Sequence, residues 1–203
     1  MIFVLFYVLF AVDLHNNLLI GSIPAGIGTL SNLKWLQFQD NGLTGTVPNS
    51  FANLQNLEIL WLQNNKLSGA LPDMFDTMSS LDWLVISNNE LSGRLPDSLG
   101  NISSLWFVDL SNNPFTGSIP DSFCTLDGTG ISMRGTNING TIPDECCGSI
   151  VLIRDNNWFV EDTIECSCCD DAVECYMWSI DDVVEDVTNH PPCPTKNIYS
   201  FDY

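Results

Sequence analysis

Apolar residues recur along this chain with a period far longer than that of a helix or a strand. From Leu33, Leu57, Leu81 and Leu105 one succession returns, as LKWLQFQDNGLTGTVPNSFANLQN, LEILWLQNNKLSGALPDMFDTMSS, LDWLVISNNELSGRLPDSLGNISS and LWFVDLSNNPFTGSIPDSFCTL. Gly21, Gly45, Gly69, Gly93 and Gly117 stand 24 residues apart, and so do Pro24, Pro48, Pro72, Pro96 and Pro120. A further turn, ISMRGTNINGTIP, is displaced by one: Gly140 and Pro143 fall 23 residues after their predecessors, and Thr136 takes the asparagine place.

Each position in the repeat has a physical task. The LxL alternation predicts a short strand with both apolar side chains inward, and successive turns pair these strands into one parallel sheet at about 4.8 Å spacing. The asparagines Asn17, Asn41, Asn65, Asn89 and Asn113 leave the strand at a bend. There an inward amide bonds backbone groups of adjacent turns and builds a ladder. In the pairs Asn64/Asn65, Asn88/Asn89 and Asn112/Asn113, the second member is expected to be structural and the first a solvated bend residue. Glycine permits a bend with positive φ, and proline ends the next extended piece where no amide donor is needed.

These turns resemble plant-type leucine-rich repeats, whose signature continues LxGxIPxxLGxL after the asparagine. The likeness covers roughly residues 9–160. The ending, with DECC followed by ECSCC, is similar to secreted or surface leucine-rich repeat proteins of diatoms and related algae. Plant polygalacturonase inhibitors and the ectodomains of receptor-like proteins are also similar. The resemblance implies an α/β-type repeat solenoid, a right-handed coil with one parallel β-sheet on its concave face. It implies binding rather than catalysis.

Three segments follow from this register: an apolar stretch at 1–8, the solenoid over 9–160, and an acidic cysteine-rich cap and tail over 161–203. Leu9, Val12, Leu14, Asn17, Leu19 and Gly21 share the phase of later turns, so the coil starts at about Leu9. Residues 1–8 place Val4, Leu5, Tyr7 and Val8 where later turns carry polar residues, and no Lys or Arg precedes Lys34, as an export signal would require. Two readings stand for this stretch: a truncated or mis-started piece of a longer chain, or a short uncleaved anchor or weak signal. A membrane role is expected only under the anchor reading.

Charge narrows the partners. With 25 acidic and 6 basic residues the net charge is −19, which excludes nucleic acid, whose recognition needs a positive footprint. The segment 144–203 holds 14 of the 25 carboxylates, so the excess is concentrated at the end. All eight cysteines, Cys124, Cys146, Cys147, Cys166, Cys168, Cys169, Cys175 and Cys193, lie beyond residue 123. Their number and acidic setting point to disulfides in an oxidising compartment, with no zinc-type spacing to favour a metal. No cofactor or metal is expected. The tripeptides at Asn101 and Asn139 are glycosylation candidates if the chain is exported.

Function is expected in the strand positions that flank the inward pair and face the concave side. One column reads Ala11, Trp35, Ile59, Trp83, Phe107, Gly130, and the next reads Asp13, Gln37, Trp61, Val85, Asp109, Ser132. Trp35, Trp61, Trp83 and Phe107, with Trp106 at the edge and Gln37, Gln39, Gln63, Asp82 and Asp109 around them, form an aromatic and polar face. Such a face suits a protein, peptide or glycan: rings supply rigid contact area and polar neighbours fix orientation. The expected function is non-enzymatic recognition outside the cell or at its surface. The alternatives are a structural wall or adhesion protein, or an inhibitor of a secreted hydrolase. A catalytic site is not expected, because His15 and His190 are the only histidines and no nucleophile sits in a recognisable motif.

Overall fold

The computed structural model describes residues 9–126, 128–142, 150–152 and 164–166, with only the backbone described from residue 140 onward. The expectations for residues 1–8, and for the cysteines from Cys146 to Cys193, fall outside the described side chains. Seven short strands form one parallel sheet: Ala11–Asp13, Trp35–Gln37, Ile59–Trp61, Trp83–Val85, Phe107–Asp109, Thr129–Ser132 and Ile150–Leu152. Register aligns Val12, Leu36, Leu60, Leu84, Val108 and Ile131 across it. All but the half-buried Val12 are fully inside the core, each contributing about 1.5–3 kcal/mol by leaving water.

A second set of strands follows the bend. Ile20–Ser22, Gly42–Gly45, Lys66–Ala70 and Glu90–Ser92 pair in parallel, Thr116–Gly117 pairs with Asn137–Ile138, and Gly140–Ile142 pairs with Ile164–Cys166. Backbone pairing among the described residues therefore reaches Cys166. The coil is completed by short 3-10 turns at Ala25–Thr29, Asn49–Asn53, Phe75–Thr77, Asp97–Asn101 and Asp121–Thr125. Among the described residues no helix is long and apolar enough to cross a membrane. Phe51, Phe75, Leu99 and Phe123 point inward from these turns as a buried spine. The turns stack so closely that a Cβ built on Gly100 would stand 2.4 Å from Ser122 atoms, which leaves no room for a side chain there.

The asparagine ladder is double. Asn65 Nδ2 donates to Phe38 O of the preceding turn (2.9 Å) and to Leu62 O of its own (3.0 Å), while Asn65 Oδ1 accepts from Leu43 N–H (3.0 Å). Asn41, Asn89 and Asn113 repeat this pattern one turn at a time. At the displaced turn, Thr136 Oγ1 reaches only its own turn, donating to Met133 O and accepting from Ile138 N–H. The side chain of Asn17, in the first turn, donates to Leu14 O and His15 O beside it and, among the described residues, to no other turn. Among the described turns that one is the least covered: Leu18 is 95% exposed, and Ile20, Phe10, Leu9, Leu14 and Leu19 are exposed with it.

The first asparagine of each pair does more than the sequence reading expects. Asn16, Asp40, Asn64, Asn88 and Asn112 all have left-handed backbone, with φ between 51° and 58°. They are solvent-exposed, yet Asn64 Nδ2 donates to Asp40 Oδ1 (2.7 Å) and Asn112 Nδ2 to Asn88 Oδ1 (2.9 Å). Short polar side chains are needed here because a left-handed residue costs about 1–2 kcal/mol and Asn and Asp tolerate it best.

Candidate functional site

The candidate site lies on the inner sheet. Strand register brings Ala11, Trp35, Ile59, Trp83, Phe107 and Gly130 into one line and Asp13, Gln37, Trp61, Val85, Asp109 and Ser132 into a second. The columns read from the period are therefore spatial neighbours. Alternation along each strand, with the buried leucines pointing the other way, sets both columns outward.

The rings within these columns are not equivalent. Trp35 is 47% exposed and Trp106 36%. Trp83 is half-buried, with Trp106 at 4.8 Å and Phe107 at 5.2 Å between ring centroids. Trp61, expected as the central ring of an exposed row, is half-buried, and its Nε1 is fully enclosed without a hydrogen-bond partner. The row is thus an exposed indole at one end and a three-ring cluster at the other. Trp61 lies between them in the second column. Trp106 joins the cluster because residues at the strand entry lean back over the preceding turn.

The same lean organises charge. Lys34, Glu58, Asp82 and Trp106 occupy equivalent entry positions on four successive turns. Glu58 takes Lys34 Nζ on Oε1 (2.5 Å) and faces Trp35 Nε1 with Oε2 (3.4 Å). Asp109 Oδ1 accepts from Ser111 N–H (3.0 Å). In the first turn, His15 Nδ1 lies 2.5 Å from Asp13 Oδ1. That hydrogen bond holds the Asp13 carboxyl below its ordinary value, with slight burial opposing it. The Lys34–Glu58 pair was not anticipated from the sequence, although its separation of one full repeat was the available signal.

Polar atoms on this face are also left without partners. Gln39 is only 7% exposed, and its Oε1, like Gln63 Oε1 and Trp61 Nε1, is buried with no hydrogen bond. Gln39 and Gln63 stand two residues beyond Gln37 and Trp61 and share their side of the coil. Among the described residues the one other such atom is Ser122 Oγ, on the opposite side. Unpaired buried polar atoms each cost about 1–3 kcal/mol, so three together call for an explanation.

The remaining candidates lie away from this face. Asn101 and Asn139 are exposed, and Asn101 Nδ2 donates to Asp76 Oδ1 (2.7 Å). Cys124 is half-buried on the last described 3-10 turn and disulfide-bonded. Among the described residues no group of His, Cys, Asp and Glu is placed to hold a metal ion.

Comparison with known proteins fits this architecture. The family described as leucine rich repeat matches residues 9–67 and 55–115. No curated protein matches the chain. Among solved structures, it is similar to a plant peptide hormone receptor, RGFR1, in complex with RGF2, at 28% identity and TM-score 0.67, over 77% of this chain and 24% of that one. It is also similar to the ectodomain of the Arabidopsis receptor kinase HAESA in complex with an IDA peptide hormone, at 28% identity and TM-score 0.64, over 71% and 26%. A plant ice-binding protein is similar at 29% identity and TM-score 0.66, over 70% and 48%. The chain thus spans about a quarter of the two receptor structures. With its repeats matched over residues 9–115 and its strands stacked in the same way, the chain belongs to the leucine-rich repeat family.

Proposed function

We propose that this chain is a non-enzymatic recognition module that binds a peptide or a peptide segment of a protein on its inner sheet, outside the cell or at its surface. The observation that carries the reading is the combination on one face of exposed Trp35 and Trp106, the ring cluster around Trp83, and three buried polar atoms without partners. Exposed rings supply binding area with little loss of side-chain freedom, and unpaired amides gain a bond when a ligand arrives. The receptors RGFR1 and HAESA are solved with peptide hormones, which supports a peptide over other ligands. The disulfide at Cys124 supports an oxidising compartment.

Selection from a random peptide display library tests this directly. Bound peptides are expected to change tryptophan fluorescence and to lose affinity in Trp35→Ala and Trp106→Ala. Binding that survives both substitutions unchanged would remove the inner face as the site.

A further inference from the structure

One reactive arrangement lies on the outer side of the coil, apart from the ligand face. The 3-10 turn Asp97–Asn101 ends at Asn101, and the chain passes through Ile102 in extended form (φ −82°, ψ 92°) to Ser103. Ile102 is 2% exposed and plugs the core, while Asn101 and Ser103 on either side of it are exposed. Alternation in extended backbone explains this: the two polar side chains share the solvent side because the apolar one between them faces in. Ser104 differs, since its Oγ donates to Leu81 O of the preceding turn (2.8 Å). The hydroxyl on the outer side is that of Ser103, two residues after the amide, as an Asn-x-Ser acceptor requires.

The repeat supplies two comparisons. Asn53, Leu54 and Gln55 hold the equivalent places two turns earlier and are again exposed, buried and exposed, but Gln55 carries no hydroxyl. The other acceptor triplet, at Asn139, is tied down: Asn139 N–H donates to Gly117 O (2.9 Å), and Gly140 and Thr141 belong to a strand paired with Ile164–Cys166. Drawing that triplet into an enzyme's cleft would break sheet pairing, whereas Asn101, Ile102 and Ser103 lie outside every strand.

Asn101 Nδ2 donates to Asp76 Oδ1 of the preceding turn (2.7 Å). A primary amide has two N–H bonds, so replacing one hydrogen leaves the other for Asp76. The carboxylate can thus keep the amide against the outer surface once it is substituted.

We propose that Asn101 is the acceptor of an N-linked glycan, seated over the outer 3-10 turns with Asp76 beside its base. The amide nitrogen bonds to the anomeric carbon of an oligosaccharide carried on a lipid diphosphate. The bond from that carbon to the diphosphate oxygen breaks, the lipid diphosphate leaves with the electron pair, and the displaced amide proton passes to a base of the transferase. The proposal rests on the extracellular placement argued above and adds that the outer side is covered by sugar while the inner sheet stays clear.

The test leads the full chain into the secretory pathway of plant cells behind a cleavable export signal and maps the recovered protein by mass spectrometry before and after peptide N-glycosidase. Asn101 is expected to carry a glycan, which the enzyme removes to leave aspartate. Ser103→Ala, which leaves Asn101 and Asp76 in place, is expected to abolish the glycan, and Ser103→Thr to retain it. Enzymatic removal of the glycan is expected to leave binding of a library peptide on the inner sheet within about twofold. An unmodified Asn101, a glycan at Asn139 alone, or a glycan that persists at Asn101 in Ser103→Ala would overturn the proposal. A fall in peptide binding of about tenfold on deglycosylation would overturn the placement away from the ligand face. Peptide binding that survives Trp35→Ala and Trp106→Ala in protein carrying the Asn101 glycan would reject the inner face and keep the modification. Binding lost in those variants with Asn101 bare would do the reverse.

Discussion

The asparagine ladder permits a prediction in which the number of bonds lost and the number of groups orphaned differ. Replacing Asn65, which is 8% exposed, by alanine removes three bonds donated by Nδ2 and one accepted by Oδ1. Most of the partners keep a second bond. Phe38 O still accepts from Asn41, Leu62 O from Asn89, and Gln63 O from Asp40 N–H. Only Leu43 N–H is left alone. One orphaned buried donor costs about 1–3 kcal/mol, so Asn65→Ala should lower stability by about 2 kcal/mol and not by the sum of four bonds. Asn113 is different, because the turn after it carries Thr136, whose hydroxyl does not reach Leu110 O. Asn113→Ala therefore orphans both Leu91 N–H and Leu110 O, for a loss of about 4 kcal/mol. Urea unfolding followed by circular dichroism, with unchanged m-values, measures both. A loss for Asn113→Ala no larger than that for Asn65→Ala would refute the counting of orphans.

Other outcomes follow from the same geometry. Asn64→Ala should cost about 1 kcal/mol because of its left-handed backbone (φ 57°), and Asn64→Gly should recover most of it; equal losses in urea unfolding would deny the backbone cause. Trp61→Phe removes a buried N–H that has no partner and should be neutral or stabilising by up to about 1 kcal/mol; a clear loss on thermal unfolding would show that the N–H is bonded in solution. Gly100→Ala must displace Ser122 and should destabilise by about 1–3 kcal/mol, read as a lower melting temperature. Asp13, with its pKa lowered by His15, adds a small, solvent-screened stability that is complete above the unfolded value and lost as pH falls through the lower folded one. Asp13→Asn should accordingly flatten the acid limb of the stability curve below about pH 4, and an unchanged limb would count against the pair.

The period made the interior legible and much of the exterior illegible, for a physical reason. Leu36, Leu60 and Leu84 recur because each must fill the same space between identical neighbours, and the ladder asparagines recur because the backbone groups they serve recur. Both could be placed to the residue. Outward positions obey no such constraint. Trp35, Ile59, Trp83 and Phe107 share a column, yet their exposure depends on which entry residue leans over each: Glu58 beside Trp35, and Trp106 over Trp83. A sequence reading that follows columns alone misjudges Trp61 and misses the Lys34–Glu58 pair. It places Asn64 rightly as a solvated bend residue but misses its left-handed backbone, because positive φ leaves little mark on an asparagine that is polar in any case.

The separation of the two kinds of position also bears on how this face acquires specificity. The turns from Leu33 to Leu126 are held by inward aliphatic residues, a ladder amide and a phenylalanine or leucine spine, and none of these lies in the two outward columns. Substitution in those columns therefore disturbs neither the core nor the ladder, and surface changes of that kind usually stay within about 0.5 kcal/mol. The face is free to carry residues chosen for a ligand. The burial of three unpaired polar atoms on that side of the coil, against a ladder whose buried amides are all bonded, supports the proposal that a ligand shapes this surface.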